Sequence, residues 1–356
     1  MAGHALPCRV AAGAPARYHD ADCHPGTTLM IPSSRSTRLL AFFLLAAAWP
    51  ALGAVPEFPV RPIRMVVPFP PAGSTDVVAR TLGIHLGLQL GQSVIIDNRP
   101  GASGNIGAGI VAQAAPDGYT ILMGTISTTI LNPLMYPKVS NDPNLNLGAP
   151  RVIATSPFAL VTPAASPTRS VRELILAAKA RPGEINFASA SSGTTGHLAL
   201  ELLKLSADID VTHVPFKGGG PAMTALVGGQ VQFLFDSVTT AATQVNGGRI
   251  RALAVTGARR TPVMPDVPTM IEAGVAGFET TGWWALMLPG QIPDPIARRY
   301  ETALGQAVRT PDFQQRLAQL GAEPFTGPPG ENLRFVQAER ERWSKVVKAA
   351  RLRLEY

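Results

Sequence analysis

From about residue 60 onward the chain alternates short apolar runs rich in β-branched residues with longer stretches in which apolar residues recur every three or four positions. The first pattern predicts strands and the second predicts helices. Residues 63–67 (Ile-Arg-Met-Val-Val) form a strand and 68–73 is turn material. A helix runs over 76–90, with Val78, Leu82, Leu86 and Leu90 on its inner face and Gly91 at its end. His85 lies beside that stripe and reads as a structural histidine. A strand at 93–96, a turn at 98–104, a helix of small residues at 105–114, a stop at 116–118 and a strand at 119–123 complete the first set. This alternation predicts a parallel sheet covered on both faces.

Residues 132–150, rich in Asn, Pro and Gly, form an irregular connector. Extended runs at 151–154 and 158–162 lead into Ser170-Val-Arg-Glu173, a capping box opening a helix that ends at 182–183. A second set of units follows, with strands at 185–188, 211–214, 231–235 and 251–255 and helices at 195–205 and 221–227. A last strand covers 280–288. Three helices close the chain: one with Asp294 as cap and Pro295 at its first position, one over 311–320, and an amphipathic one over 331–350. Two α/β domains joined by extended crossings account for this order.

The N-terminal part reads differently. After Met30, Arg35 and Arg38 precede an apolar run over 39–49 and a small-residue end at 51–54, the layout of a secretory signal peptide. That run is too short to span a bilayer. Met30 is then the expected start, and residues 1–29 are upstream sequence. A cut after Ala54 puts Leu52 at the minus-three position, and one after Gly53 puts Ala51 there; both stay open. Cys8 and Cys23 precede Met30, so the exported part has neither a disulfide nor a thiolate metal site. Residues 1–54 carry +2 of the net +7, which leaves +5 on the remaining 302 residues, more than one core comfortably organises. Lys and Arg are scattered singly and no basic run is interleaved with aromatics, which argues against nucleic acid as a partner.

Two loops carry the candidate chemistry. In the first, Ser74, Thr75 and Asp76 offer N-cap residue types after Pro68 to Gly73, and the loop has no Lys, Cys or His. Unpaired amides at a helix start suit an anion, which they hold without reacting with it. In the second, residues 189–197 (Ser-Ala-Ser-Ser-Gly-Thr-Thr-Gly-His) repeat that arrangement, with a helix opening at Thr195. Either loop alone could simply cap its helix; two in one exported, cysteine-free chain favour binding. A buried carboxylate needs paired donors, because leaving it unpaired costs several kcal/mol. Lys217, in a glycine-rich loop, is either a positive charge for a ligand or a solvated lysine. Asp76 and Asp236 read as loop-holding groups or partners for an amine or water. Residues 101–107 are G-x-x-G-x-x-G, which packing explains better than a dinucleotide, and no GK[ST] loop or G-x-S-x-G elbow occurs. His197 and Glu201 lie four apart on one helix, but His85, His197 and His213 are too few for a full metal set. Trp283 and Trp284 read as core or hinge packing, with one ring free to line a cleft.

RPIRMVVPFPPAGSTDVVAR (61–80), VIIDNRPGASGNIGA (94–108), AAPDGYTILMGT (114–125), RPGEINFASASSGTTGHLALELLK (181–204), HVPFKGGGPAMTALVGGQVQFLFDS (213–237), IRALAVTGARRTPVMPDVPTMIEAG (250–274) and LAQLGAEPF (317–325) resemble the tripartite tricarboxylate transporter substrate-binding family, the Bug extracytoplasmic solute receptors. The resemblance covers nearly all of 57–350. It implies a type II periplasmic binding protein fold of two α/β lobes joined by hinge strands, with 55–158 and 278–356 in lobe 1 and 159–277 in lobe 2. It implies a periplasmic, non-enzymatic, monomeric receptor that needs no cofactor and delivers a small carboxylate to a membrane permease of one large and one small subunit. Carried over motif by motif, the first-lobe site is Phe69, Ala72, Gly73, Ser74, Thr75 and Asp76, extended by Ser127 and Thr128. The second-lobe site is Ser191, Gly193, Thr194 and Thr195, with Phe216, Lys217 and Asp236 near the ligand. Ala72 stands where the family usually has Gly, Phe216 where Tyr is common, and the connector at 141–151 is longer than usual. An α/β enzyme on an anionic substrate and a sensor for a signalling system are the other readings.

Overall fold

A computed structural model of the chain describes residues 58–136 and 147–353. The signal-peptide reading, Met30, both cysteines and connector residues 137–146 lie outside them. In chain order the elements are β1 (Ile63–Val67), α1 (Ser74–Leu90), β2 (Val94–Asn98), α2 (Asn105–Ala112) and β3 (Thr120–Thr125). A π-helical turn (Ser127–Leu131) leads into α3 (Asn132–Met135). Then come β4 (Arg151–Pro163), α4 (Val171–Ala180), β5 (Asn186–Ser189), α5 (Thr195–Ala207), β6 (Thr212–Pro215), α6 (Gly219–Val227), β7 (Phe233–Ser237) and α7 (Val238–Asn246). The chain closes with β8 (Ile250–Val255), β9 (Thr281–Met287), α8 (Asp294–Ala307), α9 (Pro311–Gln319), β10 (Glu323–Pro324) and α10 (Pro329–Ala349).

β1 lies between β2 and β3 and is parallel to both, and β5 lies in the same way between β6 and β7. The antiparallel strand β9 joins β3 to β4. β4 runs through both halves of the sheet: residues 151–157 pair with β9, and residues from Phe158 onward pair with β7 and β8. Two extended runs were expected here, and one strand of 13 residues is found. Pro157 hid it. Proline cannot donate to a ladder, and it sits where β4 changes partners.

Apolar residues fill four layers, one on each face of each half. Val78, Leu82 and Leu86 of α1, with Tyr300 and Phe313, cover Ile63, Met65, Ile121 and Met123. On the opposite face Trp343 and Val347 of α10, with Val111 and Ile130, cover Val66, Leu122, Ala285 and Met287. In the other half Leu174, Leu200 and Leu203 pack on Phe187, Phe233 and Phe235, whereas Leu226 and Ala241 pack on Leu234 from the other side. Phe233, Leu234 and Phe235 alternate faces as a strand with two buried sides must.

Several boundaries depart from the expected ones. α1 begins at Ser74 rather than at 76, with Gly73 as its cap and no side-chain cap bond. Ser170 does accept from the Glu173 amide at 3.2 Å, but the Glu173 carboxylate accepts from the Arg169 amide at 2.6 Å, one residue before the cap. Pro293 caps α8, so Asp294 is its first residue rather than its cap. α7 was not expected, because Val-Thr-Thr-Ala-Ala-Thr-Gln-Val-Asn is poor in strong helix formers; its Val238 and Ala241 are fixed by packing. The G-x-x-G-x-x-G run serves packing: a Cβ on Gly107 would lie 2.8 Å from Pro68. Among the described residues no helix is long and apolar enough to cross a membrane.

Candidate functional site

A cavity of about 710 Å³ opens where both halves of the sheet meet, and residues from each half line it. On one side are Phe69, Ala72, Gly73, Ser74 and Thr75, with Thr125 and Ser127 beyond β3. The first bond inside α1 is from the Val77 amide to the Gly73 carbonyl at 3.0 Å. The amides of Ser74, Thr75 and Asp76 therefore have no acceptor within the helix. The Asp76 carboxylate turns back into the loop. It accepts from the Ala72 amide at 3.0 Å, from Arg80 through two bonds of 3.0 Å, and from Asn98 at 3.0 Å. Burial alone would push its carboxyl up; these donors outweigh that and hold it below the usual range. Ala72 needs the clamp, since its φ of 63° is left-handed and strains a residue with a Cβ.

The facing wall is made by Thr194, Thr195 and Gly196 at the start of α5, Gly219 and Gly220 at the start of α6, and Ser237, Thr239 and Thr240 at the start of α7. The first bond inside α5 runs from Leu198 to Thr194 at 3.0 Å, which leaves the amides of Thr195, Gly196 and His197 without helical acceptors. The loop before α5 is braced by two stacked imidazoles, His197 and His213, 4.0 Å apart. Nδ1 of His197 accepts from the Gly193 amide at 3.0 Å. Ser189 spends its hydroxyl proton on the Ser191 carbonyl at 2.9 Å, so Nε2 of His213, 2.7 Å away, donates to it. Both rings are neutral. Burial, then His213 and Lys204, depress His197 to about 3; burial, then Lys204, depress His213 to about 4.

The walls also touch beside the cavity. Ser103, at φ 55°, bonds Ser191 Oγ at 2.9 Å and donates to the Ser192 carbonyl. A Cβ on Gly218, at φ 126°, would lie 2.8 Å from the Pro70 ring, so only glycine fits there.

A family model, "Tripartite tricarboxylate transporter family receptor", matches residues 78–352. The chain belongs to this family. Among solved structures, Rpa4515 of R. palustris, determined with adipate, is 37% identical, with 83% of this chain and 99% of that chain covered and a TM-score of 0.80. The periplasmic binding protein BugD is 33% identical, with 84% and 100% covered and a TM-score of 0.78. MatC from Rhodopseudomonas palustris, with bound malate, is 34% identical, with 82% and 100% covered and a TM-score of 0.75. The fold is accordingly the two-lobed periplasmic binding protein fold. The receptor is a solute-binding protein of the tripartite tricarboxylate family and not an enzyme.

Of the site residues expected from sequence, the receptor brings Phe69, Ala72, Gly73, Ser74, Thr75, Ser127, Thr194, Thr195 and Asp236 to the cavity wall. The other six lie off it. Asp76 clamps Ala72, and Gly193 gives its amide to His197. Thr128, fully buried, closes a turn on Thr125 at 2.9 Å. Ser191 meets Ser103, Phe216 packs with the apolar layer under α6 and α7, and Lys217 is exposed to solvent. The His197 and Glu201 pair has no third ligand: among the described residues no His/Cys/Asp/Glu group could hold a metal. The sequence opens α6 at 221 rather than at Gly219, does not show the α7 start at Val238 or the side walls of Phe158 and Met223, and leaves Trp283 and Trp284 undecided. Both indoles are buried and both line the cavity, and Trp284 donates to Thr75 Oγ1 at 3.2 Å.

Proposed function

We propose that this receptor is exported by its N-terminal signal peptide, works as a monomer in the periplasm, and captures a small carboxylate in the 710 Å³ cavity. It then hands the acid unchanged to a permease of one large and one small membrane subunit. One observation carries this reading: α1 and α5, from separate stretches of the chain, open their first-turn amides on the same space. Each helix start contributes roughly 0.3 to 1 kcal/mol toward an anion, and charge-assisted amide bonds add to it. Both donor sets reach one ligand only when residues 55–158 with 278–356 and residues 159–277 close on it, so the acid favours the closed arrangement. Adipate and malate in the two solved relatives are acids of the expected class.

A panel of mono-, di- and tricarboxylates tests this by thermal unfolding. The binding acid stabilises the protein by about 2.7 kcal/mol at a hundredfold excess over its dissociation constant. Ser74→Ala and Thr194→Ala reduce that response, each read against the variant's own melting temperature without ligand, since Thr194→Ala also removes a 2.8 Å bond to the Ser191 carbonyl. A panel that leaves the melting temperature flat, or an acid chemically altered after incubation, refutes the proposal.

A further inference from the structure

Asp236 is the one acidic side chain on the cavity wall among the described residues. It is the penultimate residue of β7, is half-buried, and lines the cavity. Its Oδ2 accepts from Thr240 Oγ1 at 2.6 Å, and a Cβ placed on Gly219 would lie 3.6 Å from Oδ1. The elements around it supply no charge: β4 presents Phe158 and Ala159, α6 presents Gly219, Gly220 and Met223, and α7 presents Thr239, Thr240, Thr243 and Gln244. Of the cations on the adjoining loops, Lys217 before α6 is exposed to solvent, whereas Arg249 after α7 lines the cavity; neither contributes to the titration of Asp236. A cavity built around anion-binding amides thus also holds a carboxylate whose shift has no contribution from a cation.

Resting on the carboxylate-receptor reading, we propose that Asp236 requires a proton-bearing group on the bound acid. An ammonium or hydroxyl of the ligand donates to it directly. A plain diacid has neither, so it binds with one proton taken from solvent and shared between Asp236 and its distal carboxyl. The physical reason is that one ligand carboxylate occupies the amides of α1 and α5, and a second that reaches Asp236 meets a carboxyl on which no cation acts. Two carboxylates sharing a site do not both stay ionised; one takes up a proton. Burial already pushes the Asp236 carboxyl up to about 6 against the bonds from Thr240 and the Ser237 amide, and no neighbouring charge contributes. Asp236 is therefore set to accept that proton near neutral pH, where an ordinary aspartate would not.

Calorimetric titrations of the purified protein with succinate, adipate, malate, aspartate and glutamate, in two buffers of different ionisation enthalpy between pH 5.5 and 8, test this. A plain diacid is expected to bind with uptake of about one proton at pH 7.5 and to lose about tenfold in affinity per pH unit above pH 6. Amino acids bind with no proton uptake and little pH dependence above pH 6.5, and below pH 6 they release a proton and weaken, because Asp236 must give up its own proton to accept from the ammonium. Asp236→Asn removes the diacid's proton uptake and its slope and weakens the amino acids at least tenfold. Diacid binding without proton exchange overturns the inference, as does an equal loss for every acid in Asp236→Asn, which would mean that Asp236 only holds its loop. The buffer comparison on the unsubstituted protein stands whether or not the variant folds. If no acid binds at all, the receptor reading falls first and this inference with it.

Discussion

Trp284→Ala is expected to lower the unfolding free energy by about 3 to 5 kcal/mol and to abolish stabilisation by any carboxylate. Trp284 is 4% exposed at the middle of β9, pairing with Thr125 of β3 and Ala154 of β4. Its ring belongs to the layer under α1 and α8, so truncation opens a large cavity that strands on both sides hold apart. Its indole N–H is also the donor that fixes Thr75 Oγ1 in the first turn of α1, beside the free amides. Trp284→Phe separates the two roles. It keeps most of the packing and removes only the bond, so chemical denaturation should show a loss of about 1 kcal/mol while ligand affinity falls further. Equal stability of Trp284→Ala and the unsubstituted protein would show that the core is not organised as described.

Acid is expected to loosen the second-half loop before it unfolds the rest. His197 and His213 are held neutral in the fold, at about 3 and about 4, whereas an unfolded histidine titrates near 6.5. Their folded values are depressed, so the unfolded chain binds more protons once pH drops below 6.5. Stability is full above that pH and is lost as pH falls toward the folded values. Asp236, raised to about 6, acts in the opposite sense: its contribution is lost as pH rises through 6. A difference experiment isolates His197. His197→Asn keeps an acceptor for the Gly193 amide but does not titrate. Between pH 6.5 and 4 the unsubstituted protein should lose about 3 kcal/mol more than this variant in denaturant titrations. Parallel stability curves would show that His197 is not held neutral.

The parallel strands and the long helices were legible because their apolar periods are unambiguous: Val78, Leu82 and Leu86 point at one layer and nothing competes with that reading. The two anion loops were legible from residue type, since a strand followed by hydroxyls, glycine and a helix has few other uses. Side-chain direction was not. Asp76 sits in the first site motif, yet its carboxylate turns away because Ala72 adopts a left-handed angle and needs an acceptor for its amide. Lys217 reads equally as a charge for a ligand or as a solvated lysine, and its side chain is exposed while the glycines after it pack on Pro70 and line the cavity. α7 escaped because its helical state depends on packing under β4 and β7 rather than on its own residues. The imidazole stack joins residues 16 apart on different elements, a relation that no local spacing encodes.

Residues 58–353 contain three tryptophans, Trp283, Trp284 and Trp343. The first two line the cavity, and Glu339 takes the indole protons of Trp283 and Trp343 at 3.3 and 3.2 Å. An acid bound as proposed would lie beside two indole rings at once, while the third shares its acceptor with one of them. A negative charge brought beside two buried rings is therefore expected to change the intrinsic emission of the protein, so that its spectrum reports occupancy without an added dye.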